Sequence, residues 1–156
     1  MPELSAKGFV ECQEETNKVK SRRNLYYIFT ITPLKPLTYK TIKIKENTVQ
    51  KSARDTIEKN EAIQSFSELK SSIKEGDPCF IVYDFPFFSE DKFLGNVLCL
   101  FSYIPDNIPV LSRVAFSTSS LDLPVHLGVA KHFQFHSTNE IDFMQIHKSI
   151  SAAKRN

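Results

Sequence analysis

Two histidines four residues apart, His132 and His136, are the plainest candidates for metal chemistry in this 156-residue sequence. Histidines at that spacing can chelate one ion when both lie on a helix. Here Phe133 and Phe135 alternate with the polar residues, which is the pattern of a strand. Four residues of a strand span about 13 Å, which is too far for one ion. We therefore expect ordinary surface or cross-strand histidines and no metal site.

Acidic and hydroxyl residues give no catalytic arrangement either. Asp84 ends a strand-like run and Glu90 and Asp91 lie in a loop-like one, but no positioned nucleophile or second carboxylate accompanies them. The hydroxyl run at residues 117–120 lacks the Gly-x-Ser-x-Gly context of a nucleophile elbow, and the four glycines form no phosphate loop. We expect a protein that is not an enzyme and uses no cofactor.

Composition argues against several other classes. The net charge of +2 is too small to indicate nucleic-acid binding. Cys12, Cys79 and Cys99 are odd in number and widely spaced, which favours reduced thiols over disulfides or a zinc site. No apolar run reaches the roughly 20 residues of a membrane span, and we find no signal peptide. We expect a soluble, cytoplasmic monomer with one domain over residues 1–156 and a flexible tail over residues 1–7.

A local basic run at the end of the first predicted helix contains Lys18, Lys20, Arg22 and Arg23. Its simplest interpretation is a solvated helix end. Two alternatives stay open: a phosphoinositide-binding patch, and a nuclear import signal that would add a nuclear location.

Hydrophobic periodicity outlines the other elements. Apolar residues at three- to four-residue steps predict helices over residues 8–20, 56–73 and 139–153. Runs rich in β-branched and aromatic residues predict strands over residues 24–32, 39–46, 79–85, 97–103 and 129–136. In the second strand Ile42 and Ile44 share one side, which predicts a half-buried strand. The connections are a hairpin turn with Pro33 and Pro36, and loops over residues 47–55 and 86–96.

Residues 105–128 predict a helix with a break. Asp106 and Asn107 are good N-cap residues, and Pro109 fits the first turn. Hydroxyl side chains near the middle compete for the backbone, which places the break at residues 119–122. The outward residues carry no catalytic chemistry and indicate a surface for a partner: Ser112, Arg113 and Val114.

The resulting order of elements, α-β-β-α-β-β-α-α-β-α, predicts the α/β (α+β) class. We expect a central mixed sheet of five or six strands, flanked by helices on both faces.

Three segments together resemble the ADF/cofilin family of actin-binding proteins. The first is SFSEL followed by CFIVYDF, at residues 65–69 and 79–85. The second is the apolar strand with an aromatic and two prolines at 98–109, and the third is the serine-marked helix at 110–128 with VAKH after it at 129–132. Residues 19–23 match more loosely. The resemblance covers nearly the whole chain, and it implies the actin-depolymerising-factor homology fold with actin as the partner.

The resemblance also implies that the long helix and the N-terminal tail contact monomeric actin. By position, the contacts are Leu4, Ser5, Leu111, Ser112, Arg113, Val114 and Ser120. Arg113 stands at a basic position of the family, whereas Leu111 replaces a usual lysine and residues 123–126 replace several more. Ser5 lies near the tail serine whose phosphorylation inhibits many members.

The family's second surface grips a neighbouring subunit of the actin filament. Here Lys92, His147 and Lys148 are the candidates, because the uncharged residues 95–97 stand beside the strand. We therefore expect binding to monomeric actin, weaker binding to filaments, and a role in filament turnover and depolymerisation. Two alternatives stay open: binding of the Arp2/3 complex, as in glia-maturation-factor-like proteins, and a phosphoinositide-regulated binding module.

Overall fold

The computed structural model describes residues 7–32, 37–48 and 57–155, with side chains as far as residue 152. The elements there are α1 (Phe9–Lys20), β1 (Asn24–Thr32), β2 (Thr38–Glu46), α2 (Lys59–Ser71), β3 (Cys79–Ser89), β4 (Lys92–Tyr103), α3 (Val110–Leu127), β5 (Lys131–Phe135), a 3-10 helix (Thr138–Glu140) and α4 (Phe143–Arg155). The turn at Pro33 and Pro36, residue 56 of the second predicted helix and residues 49–55 of the predicted loop lie outside the described residues.

The strands form one mixed sheet in the order β2-β1-β3-β4-β5. The first three pairings are antiparallel, and β5 runs parallel to β4. A parallel pairing needs a crossover connection, and α3 supplies it. The predicted mixed sheet is thus confirmed, with five strands in the described part of the chain.

Alternating side chains of the sheet feed two separate cores, as the period of a strand requires. One core lies against α1 and α3 and includes Tyr27, Phe29, Phe80, Val82 and Leu100. The other lies against α2 and α4 and includes Tyr26, Ile28, Ile81, Tyr83 and Phe101. This arrangement confirms that helices cover both faces, and it puts α3 on the same face as α1.

The β3–β4 hairpin is longer than predicted. Residues 86–96 are not an open loop, since Pro86 pairs with Asn96 and the strands continue to a tight turn at Glu90, whose φ is 57°. Phe88, which is 2% exposed, supplies the apolar contact that holds this part of the hairpin to the core. Proline is tolerated because the pairing of β1 with β3 ends at Tyr83, so Pro86 lies on an edge.

The predicted break in α3 is wrong, because residues 110–127 form one helix. The poor helix propensity of hydroxyl residues costs less than about 1 kcal/mol each. Burial of Phe116, Leu123 and Leu127 outweighs that cost. Pro124 lies inside the helix, and Pro109, not Asp106 or Asn107, is the N-cap residue.

The exposure of β2 also differs from the prediction. Ile42 and Ile44 are 50% and 41% exposed, and β2 is an outer strand of the sheet. At the other end of the sheet, β5 is shorter than predicted. The last predicted helix divides into the 3-10 helix, with a capping box between Ser137 and Glu140, and α4.

Candidate partner-binding site

An uncovered apolar stripe runs along α3. Its members are Val110, Leu111, Val114, Leu121 and Val125, which are 69%, 77%, 58%, 79% and 81% exposed. At about 100° per residue, these five side chains fall within an arc of about 100° on one side of the helix. We call these five residues the α3 stripe. Exposed apolar surface of this extent is typical of an interaction site.

The opposite side of α3 fixes the helix against the sheet. Phe116 stacks on Phe80 of β3, with ring centroids 5.3 Å apart, and Leu123 and Leu127 are buried in the same core. Gly128 then ends the helix in the left-handed conformation, at φ 67°. The stripe is therefore presented by a helix anchored at its middle and its end.

Arg113, the expected basic contact, is exposed and is held by the loop that precedes α3. Its Nη2 donates to the backbone carbonyl oxygens of Asp106 and of Ile108, the latter at 3.4 Å. The guanidinium thus braces the loop that leads from β4 into α3. Ser112, which precedes Arg113, is partly exposed, and Leu111 is 77% exposed as part of the stripe.

The other residues expected to contact actin are Ser120, which the structure describes, and Leu4 and Ser5, which it does not. Ser120 is 1% exposed and faces the core, and its expected contact with actin stays a prediction. Sequence reasoning missed Leu121 and Val125 because it interrupted the helix. In an unbroken helix, these two residues follow Val114 by about two and three helical turns, so all three lie on the same side.

A second candidate surface lies on the β3–β4 hairpin and α4. Lys92 and Lys148 are exposed there, as expected. His147 is only 8% exposed, and its expected contact with a filament stays a prediction. Its Nε2 accepts a hydrogen bond from the backbone N–H of Phe88 at 2.9 Å, and its ring stacks on Phe87 with centroids 5.2 Å apart. Burial lowers the pKa of His147, which favours the neutral ring that this bond needs.

The basic run does not form one patch. Lys18 pairs with the buried Glu15 at 2.8 Å, and Lys20 Nζ lies 2.7 Å from the position that a Cβ on Gly128 would take. Since Lys18 and Lys20 are two residues apart on a helix, they point in nearly opposite directions. Arg23 is exposed in the turn that directly precedes β1.

Arg22 is occupied by the sheet. Its Nη2 donates to Asn96 Oδ1 at 3.2 Å and lies 3.8 Å from Asp84 Oδ2. Burial raises the pKa of the Asp84 carboxyl to about 6, and the nearby Arg22 charge partly opposes that rise. Asp84 therefore has a structural partner, and this ion pair ties the α1–β1 turn to β3.

The remaining chemistry-bearing residues also have structural surroundings. His132 Nε2 lies 2.8 Å from Ser102 Oγ, and His136 Nδ1 lies 3.1 Å from the Ile104 carbonyl oxygen. Within the described ranges, no three His, Cys, Asp or Glu side chains converge on a position for a metal ion. The three cysteines are buried and unpaired, and burial raises the pKa of each thiol.

The sheet, its two helical layers and the exposed α3 define the class of protein, the actin-depolymerising-factor homology fold. The chain superposes on actin depolymerization factor 2 of Plasmodium berghei with a TM-score of 0.66 at 19% identity, over 90% of this chain and 91% of that one. For ADF/cofilin of Trypanosoma brucei the TM-score is 0.62 at 21% identity, over 92% of each chain. For human coactosin-like protein it is 0.67 at 12% identity, over 95% and 99%.

The family model of cofilin/tropomyosin-type actin-binding proteins matches residues 8–151. The chain belongs to this family, as a divergent member. No match is found among curated protein sequences. In the part of the chain that the structure describes, no helix has both the length and the apolar character to cross a membrane.

Proposed function

We propose that this protein binds monomeric actin through the first half of the α3 stripe, Val110, Leu111 and Val114, together with the N-terminal segment, and that it regulates the turnover and depolymerisation of actin filaments. The observation that carries the proposal is the exposure of Val110, Leu111 and Val114 on an anchored helix. An amphipathic helix that lays such a row into an apolar groove is a recurrent mode of recognition. Membership in an actin-binding family supplies the partner.

The path of the N-terminal segment supports its part in this site. The backbone N–H of Tyr39 donates to the Lys7 carbonyl oxygen at 2.8 Å, which places the entry to α1 beside β2. Phe9 at the start of α1 contacts His126 of α3 edge-on, with ring centroids 6.5 Å apart. Lys7 and Gly8 therefore enter α1 on the face of the sheet that carries α3, and we assign Leu4 and Ser5, which precede them in sequence, to the actin contact.

Binding to filaments is proposed to be weaker. Lys92 and Lys148 are exposed on the hairpin and α4, but the charge of Arg22 is paired internally and His147 is buried. Charged groups at an interface mainly raise the association rate and set orientation, so a surface with few of them should capture a filament more slowly and orient it less well. The protein acts in the cytoplasm on the cytoskeleton, without a catalytic step.

Native gels with purified monomeric actin, and co-sedimentation with filaments, test both parts. We expect a shifted complex with the monomer and little pelleting with filaments at moderate salt. Absence of the shift, with capture of the Arp2/3 complex in a pull-down, would replace actin as the partner. Stoichiometric pelleting would contradict the proposed preference for the monomer.

A further inference from the structure

We propose that α3 engages actin by apolar contact along its whole length, with Leu121 and Val125 as the second half of the contact and without the charge of Arg113. This inference rests on the proposed function and specifies how the same site recognises its partner. It predicts binding that depends little on salt.

The first argument is the length of the stripe. Because α3 is unbroken, Val110 and Val125 are 15 residues apart on one helix, which corresponds to about 22 Å. Four of the five stripe residues lie within an arc of about 60°: Val110, Val114, Leu121 and Val125. A single straight groove on a partner can therefore contact all four. Leu121 and Val125 are at least as exposed as the members of the first half. A contact restricted to the first half would leave the two most exposed apolar side chains of α3 in water.

The second argument is the lack of available charge on the helix. Arg113 and Asp122 are the charged residues of α3, one of each sign. Arg113 donates to two carbonyl oxygens of the preceding loop, and Asp122 is only partly exposed. Thr118, which lies between the two halves of the stripe, is exposed and uncharged. The stripe itself therefore carries no charged side chain for an acidic partner, and the Arg113 guanidinium beside it is held to the preceding loop.

The consequence concerns the dependence of affinity on ionic strength. Salt screens interactions between exposed charges, whereas it leaves apolar burial largely intact. A stripe that binds by burial alone therefore keeps its affinity as salt rises. A helix that relied on basic side chains would lose affinity steeply.

Titration of labelled monomeric actin with the full chain tests the inference at low and at high potassium chloride. We expect the Kd of the unmodified protein to change by less than about threefold between roughly 50 and 300 mM salt. Leu121→Ser and Val125→Ser should each raise the Kd about tenfold, because buried apolar anchors dominate such interfaces. Met144→Ser removes an exposed apolar side chain from α4, on the other face of the sheet, and should leave the Kd unchanged.

Arg113→Gln provides the matched test of charge. It removes the positive charge and keeps donors for the loop carbonyls, so we expect the same Kd within about twofold and the same response to salt. Melting curves of each variant show whether the fold is retained.

Two outcomes would overturn the inference while leaving the proposed function in place. One is actin binding that weakens tenfold or more with salt, and the other is binding that Leu121→Ser and Val125→Ser do not alter. Failure of the unmodified protein to bind actin at any salt concentration would instead overturn the proposed function itself.

Discussion

The Nε2 atom of His147 accepts the backbone N–H of Phe88 at 2.9 Å, and this bond joins α4 to the β3–β4 hairpin. Replacement of His147 by Phe keeps an aromatic ring in the stack but leaves a buried N–H unsatisfied, which costs about 1–3 kcal/mol of unfolding free energy. His147→Gln retains an acceptor and should cost less. Urea unfolding at neutral pH measures the unfolding free energy of both variants. Equal stability of His147→Phe and the unmodified protein would contradict a stabilising role for this hydrogen bond.

The same bond predicts a dependence on pH. Burial lowers the pKa of His147 in the folded state below its ordinary 6.5. As pH falls below 6.5, the unfolded chain takes up a proton first, so the stability that His147 contributes above that pH is progressively lost. The stability difference between the unmodified protein and His147→Gln should therefore be constant above pH 6.5 and shrink below it. A stability difference between the two proteins that grows as pH falls would contradict a lowered pKa of His147 in the folded state.

Asp84 should act in the opposite direction. Burial raises its pKa from 3.8 to about 6, so folding favours the protonated carboxyl, and this contribution is lost as pH rises through 6. At pH 7 the buried carboxylate costs roughly 3 kcal/mol at most. Asp84→Asn removes the buried charge and should recover that cost in part. The recovery is incomplete because Arg22 loses its charged partner in the same variant. Unfolding free energies from pH 4 to pH 7.5 test this, with the advantage of Asn expected to grow with pH and level above 6.

Gly8 offers a test of the entry to α1. Its φ is 85°, and a Cβ there would lie 2.1 Å from the Tyr39 carbonyl oxygen. Gly8→Ala should therefore destabilise the protein by more than about 2 kcal/mol. Gly76 is the matched control, since its φ is 89° but no atom lies within 4 Å of its Cβ position. Gly76→Ala should cost only about 1 kcal/mol, and an equal cost at both sites would contradict the proposed steric conflict.

The sequence predicted best those elements in which one periodicity dominates. The bounds of β1, residues 24–32, are confirmed because its β-branched and aromatic residues leave no alternative period. The helix predicted over residues 8–20 is confirmed as well, and its apolar steps correspond to a buried face with Phe9, Cys12, Thr16 and Val19. In both cases the local preference and the tertiary burial agree.

Prediction failed where tertiary burial overrides local preference. The helix α3 continues through Ser119 and Ser120 because the core holds Phe116 and Leu123 on either side of them. The burial of His147 carried a readable signal, since it lies four residues after Phe143 and three before Ile150, on the apolar side of α4. The hydrogen bonds of Arg113 to the Asp106 and Ile108 carbonyl oxygens could not have been predicted from the sequence, because they depend on the folded path of the loop before α3. The contacts of Leu4 and Ser5 with actin stay predictions.

The central claim is that the α3 stripe binds actin, and calorimetric titration of actin monomers with the unmodified protein and with Val114→Asp tests it most directly. Val114 is 58% exposed, so the substitution leaves the fold intact while placing a charge in the apolar contact. Met144→Asp makes the same change on α4 and serves as the control. We expect Val114→Asp to weaken binding at least about tenfold and Met144→Asp to bind as the unmodified protein does. Equal affinity of Val114→Asp and the unmodified protein would contradict the claim.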